Sequence, residues 1–142
     1  MKSLLGKLGV ILIGLAIFGN AEVWGADWSL YGIAGNGTFE GFYDAESIMM
    51  LSKNIVRVAD KKVYTEKGVV ELVENYGKKY ENVSHSIVLW EINCEMKMVY
   101  MLSLTYYSKG GEILFSQNYD DNKWIFIPLE SMIELLFKAV CK

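Results

Sequence analysis

One short stretch decides most of what this chain can become. From Ser86 to Cys94 it reads SIVLWEINC, and Val88, Trp90, Ile92 and Cys94 share one side of an extended chain, because successive strand side chains point to opposite faces. That places Cys94 in a core. The other cysteine, Cys141, closes an apolar segment of helical period that starts at Leu129, so a bond between the two thiols would clamp a last helix onto the face carrying Trp90.

Whether that bond forms depends on the compartment. Met1 to Ala21 has Lys2 and Lys7 ahead of an uncharged apolar run, Leu8 to Gly19, and then small residues at Gly19 and Ala21 spaced as a signal peptidase needs. The run is about a dozen residues where a bilayer span takes about 20, so a secretory signal over 1–21 is expected rather than a retained anchor. The remainder, 22–142, is the right length for a single domain. No cysteine follows the cleavage region, so a lipid anchor in the outer membrane is not expected, and the domain should be periplasmic or extracellular with no stable membrane span. In an oxidising compartment the economical reading of two cysteines is one disulfide. A reactive or metal-bound thiol pair is the alternative, against the absence of nearby histidines and of short spacing.

The rest of the chain alternates between strand and helix periods. Ala26 to Ile33 and Thr38 to Tyr43 are aromatic-rich runs around Gly35-Asn36-Gly37, a hairpin signal. Asp44 to Met50 reads as a helical turn or a loop. Lys53 to Tyr64 is a third strand, with Val56 and Val58 on one face and Arg57 on the other. Thr65 to Lys79 switches to helical period, with Val69, Leu72, Val73 and Tyr76 on one stripe and an end near Gly77. His85 to Cys94 and Lys97 to Tyr107 form the next hairpin, the second strand placing Met98, Tyr100, Leu102, Leu104 and Tyr106 on one side. Lys109-Gly110-Gly111 turns into Glu112 to Asn118, and Trp124 to Ile127 is extended because it precedes Pro128. The expected fold is α+β: a mostly antiparallel sheet of about six strands, one helix after the third, and a C-terminal helix packed on the sheet.

The order of particular residues also resembles a known family. Asp27-Trp28, Tyr43-Asp44 with Ser47-Ile48, and Asn54-Ile55-Val56-Arg57-Val58 come first. Cys94, Tyr106-Tyr107 before Gly110-Gly111-Glu112, Trp124 with Ile127-Pro128 and Ser131, and Val140-Cys141 follow. Across the whole mature chain this resembles the surface-adhesin protein E-like domain family of secreted and outer-membrane bacterial proteins. The resemblance implies a small antiparallel sheet on a C-terminal helix, a disulfide between Cys94 and Cys141, and adhesin-like binding of host matrix and plasma proteins. Dimerisation and haem binding go with the family. It implies no ligand-binding residue here.

Chemistry is sparse. His85 is the single histidine, so neither a catalytic triad nor a multi-histidine metal site can be assembled, and a haem ligand is weighed against an edge histidine. Asp120, Asp121 and Asn122 lack the alternating spacing of a calcium loop and read as a polar turn. Asp44 and Glu46 have no nucleophile beside them. Asn82-Val83-Ser84 matches a glycosylation sequon and reads as a turn. No catalytic, cofactor or metal residue is therefore assigned, and no enzyme is expected. A formal charge of −3, made more negative by loss of Lys2 and Lys7, argues against nucleic acid.

Aromatic residues are the remaining signal. A sheet with helices on one face cannot hide both sides of every strand, and Trp28, Tyr31, Tyr43, Tyr106 and Tyr107 are the candidate contact surface. The expected function is an exported, non-catalytic binding domain that contacts a protein, a second copy of itself or an envelope component. The alternatives are a structural subunit of an envelope or filament assembly, and a carrier for haem or another small hydrophobic ligand.

Overall fold

A computed structural model describes residues 27–121 and 123–142, so the expected signal at 1–21 and Asn122 lie outside the described residues. The long strands are β1 (Trp28–Ile33), β2 (Phe39–Asp44), β4 (Ile55–Tyr64), β5 (Val83–Asn93), β6 (Met98–Ser108) and β7 (Ile113–Asn118). Two strands of two residues each, β3 (Met49–Met50) and β8 (Ile125–Phe126), join them, together with the helices α1 (Glu66–Tyr76) and α2 (Met132–Val140). Every pairing is antiparallel, in the order β1-β2-β4-β5-β6-β7, with β3 added to β4 and β8 to β6. The expected α+β sheet is present, with α1 after the third long strand.

Local chemistry sets the turns. Asn36 accepts from both the amide (3.2 Å) and the hydroxyl (2.7 Å) of Thr38, and Gly37 takes a left-handed φ of 76° that a side chain would resist. Thr65 caps α1 by accepting from the Gly68 amide at 3.2 Å. At Gly68 a methyl group would meet the Thr38 carbonyl oxygen, which is why α1 carries a glycine on the side that touches the first hairpin.

Helix α2 starts at Met132, three residues later than its apolar pattern suggests. Glu130 has a left-handed φ of 59°, and the helix begins only after Ser131, whose hydroxyl accepts from the Glu134 amide at 3.2 Å. Glu134 in turn accepts from the Glu130 amide at 2.9 Å, closing a reciprocal cap. That hydrogen bond, with Lys138 and Lys97 nearby, holds the Glu134 carboxyl below its usual range.

Both helices lie on one face. Leu136 and the partly buried Ile133, Phe137 and Val140 pack on Val56, Val58, Val88, Trp90, Ile92 and Val99. Under α1 a second cluster gathers Leu72, Tyr80 and Val83 with Tyr64, Tyr106 and Phe115. Cys94 and Cys141 form the disulfide at the edge of the first cluster, their Cα atoms 5.5 Å apart across a separation of 47 residues.

One expectation is corrected. In β6 the side chains do not alternate strictly, because Trp90 pairs with Met101 while Leu89 pairs with Ser103. Leu102 is the extra residue of a bulge, which returns the next residues to the opposite parity. Val99, Met101, Leu104 and Tyr106 therefore share the helix-bearing face, and Tyr100 stands apart from Leu104 and Tyr106.

Candidate functional site

The opposite face has neither helix on it among the described residues. Its side chains follow from the register. One row runs Leu30, Phe42, Lys61, Ile87, Thr105, Ser116, and the next Glu40, Val63, His85, Tyr107, Ile113. Trp28 sits at the β1 end, its ring under the Lys61 ammonium at 5.2 Å. At the far end His85 and Tyr107 stack, ring centres 5.0 Å apart and 20° from parallel. Arg57 pairs with Glu91 directly across the strands at 2.6 Å. The face is thus an apolar band, Trp28, Leu30, Phe42, Val63, Leu89 and Tyr107, crossed by a few charges. Leu30 and Ile113 are exposed, and Ile87 and Ala59 between them are buried.

The five candidate aromatic residues do not form one patch. All five are half-buried, but Trp28 and Tyr107 belong to the open face, whereas Tyr31, Tyr43 and Tyr106 pack against the clusters beneath the helices. The division follows from strand parity once the β1 and β6 bulges are placed, at Tyr31 and Leu102.

Tyr31 leads to a residue that the strand pattern alone did not single out. Asp60, 1% exposed, accepts from the Tyr31 hydroxyl at 2.7 Å and the Trp90 indole at 3.0 Å, and pairs with the Lys62 ammonium at 3.1 Å. Its parity with Val56 and Val58 was the available signal. Burial, then the Asp60 carboxylate, pushes the Tyr31 phenol well above its ordinary range. Burial does the same to Tyr64, which hydrogen-bonds Ser86 at 3.0 Å. Tyr31, Trp90 and Lys62 all direct their donors to the Asp60 carboxylate, so the group is structural.

The other polar candidates stay apart. The His85 ring bonds the Ser84 hydroxyl at 2.9 Å. Asp44 is fully buried and caps the turn Ala45–Ser47 by accepting from the Glu46 amide at 3.1 Å, while Glu46 is exposed. Asp120 and Asp121 are exposed. Among the described residues no three His, Cys, Asp or Glu side chains gather as a metal site.

The family model for Surface-adhesin protein E matches residues 28–142. No match to the chain is found among curated proteins or among solved structures. The matched span runs from the first strand through the disulfide-tied helix, and the chain belongs to the surface-adhesin protein E family.

Proposed function

We propose that this protein is an exported, non-catalytic binding domain that contacts a protein or envelope component through the face of its sheet opposite α1 and α2. The observation that carries this reading is the band of Trp28, Leu30, Phe42, Leu89 and Tyr107 on the face opposite α1 and α2. Flat surfaces with Trp and Tyr among satisfied charges suit protein contacts, because the rings bury large area at little entropic cost. Membership of a surface-adhesin family supports export, and no helix among the described residues is long and apolar enough to cross a membrane. The reading places the domain in the periplasm or outside the cell, with a second copy as one eligible partner.

The test is capture from envelope extract by the immobilised mature domain. The wild type is expected to retain a component that the double variant Trp28→Ala, Tyr107→Ala loses. Equal capture by both would remove the open face from the binding account.

A further inference from the structure

At the end of α1, on the helix-bearing side, Tyr76, Tyr80, Leu104, Tyr106, Phe115 and Tyr119 line a pocket of about 230 Å³. Its rings stand as walls. Tyr76 meets Tyr80 at 67° with centres 6.2 Å apart, Tyr80 meets Tyr106 at 71° and 5.1 Å, and Tyr106 meets Phe115 at 62° and 6.4 Å. Tyr119 is fixed from two sides, its carbonyl accepting from the Tyr100 hydroxyl at 3.0 Å and its amide donating to Leu102 at 2.9 Å. Rings set at steep angles present faces from several directions, and the face of an aromatic ring carries partial negative charge.

The chain itself shows what such walls attract. The Lys79 ammonium lies 5.3 Å from the ring centres of both Tyr80 and Phe115. Lys79 stands outside the lining, and none of the described lining side chains is a carboxylate, so ring faces are what the pocket offers a cation. Burial raises the Tyr80 and Tyr106 phenols, which keeps these walls neutral. A cation held only by ring faces is best when weakly hydrated, because a strongly hydrated one gives up more water than the rings return. We propose that this pocket binds a quaternary ammonium group, and that Lys79, at its margin, competes for the Tyr80 and Phe115 rings. None of the residues lining this pocket belongs to the apolar band of the open face, so the two sites are independent.

Calorimetric titration of the exported domain with choline and with 3,3-dimethylbutan-1-ol, its uncharged isostere, tests the charge. Choline should bind, and the isostere should bind about tenfold more weakly. Lys79→Ala should tighten choline several-fold by removing the internal competitor. Tyr76→Ala, at a position 67% exposed and therefore tolerant for folding, should weaken it several-fold. Retention on phosphatidylcholine but not phosphatidylglycerol vesicles would support the site with a lipid head group as the source of the ammonium. Choline binding without retention would support it with a free one. Equal affinity for choline and the isostere, or no choline binding by wild type and Lys79→Ala alike, would overturn the proposal.

Discussion

Asp60 shows how one residue constrains a core. Its carboxylate takes the Tyr31 hydroxyl, the Trp90 indole and the Lys62 ammonium, and so ties β1, β4 and β5 together beneath the helix-bearing face. Removing it takes the acceptor from the half-buried Tyr31 hydroxyl, the buried Trp90 indole and the Lys62 ammonium at once, a larger loss than the bonds themselves are worth. Asp60→Ala is expected to cost about 3–5 kcal/mol in urea unfolding, and Tyr31→Phe only about 1 kcal/mol, since the carboxylate keeps its other partners. The phenols add a pH dependence. Tyr31 and Tyr64 both have folded-state values raised above the unfolded one, so the folded chain holds their protons longer. Below about pH 10 neither state ionises these phenols and their contribution is constant; above it the unfolded state gains by releasing protons and stability falls. Melting temperature should therefore decline steeply above about pH 10, and Tyr31→Phe should flatten that decline.

Among the elements, α2 depends most on a covalent tie. It has nine residues, too few to hold a helix alone in water, and it is secured by the Ser131 and Glu134 cap at one end and Cys141 at the other. Closing a loop of 47 residues is worth about 4 kcal/mol by the chain-entropy argument. Cys94→Ala should lower unfolding free energy by about that amount, and reducing agent should have no further effect on the variant. Strand periods made the long strands legible, because alternation of Val56, Val58 and of Val88, Trp90, Ile92 is local information. The bulge at Leu102 was not legible, since an unpaired residue is defined by the partner strand. The late start of α2 was missed for a similar reason: apolar residues at Leu129 kept the period running past a backbone that turns left-handed at Glu130.

At the scale of the whole molecule, two helices and a disulfide close one side of an eight-stranded sheet, and among the described residues neither helix lies on the other side. That asymmetry is the basis for assigning contact to the open face. It was only half readable beforehand. Aromatic density indicated that some rings must lie away from the helices, but assigning Trp28 and Tyr107 to the face opposite α1 and α2, and Tyr31, Tyr43 and Tyr106 to the helix-bearing one, needed the register and both bulges. The site for Asp60 stayed hidden because a charged residue within a strand reads as solvent-facing until its parity is compared with its valines. The most direct measurement is hydroxyl-radical footprinting of the exported domain with and without envelope extract. The account predicts that Trp28 and Tyr107 lose label on adding extract while Tyr31 and Tyr43 are unchanged; protection confined to α1 and α2, with Trp28 and Tyr107 labelled as before, would contradict it.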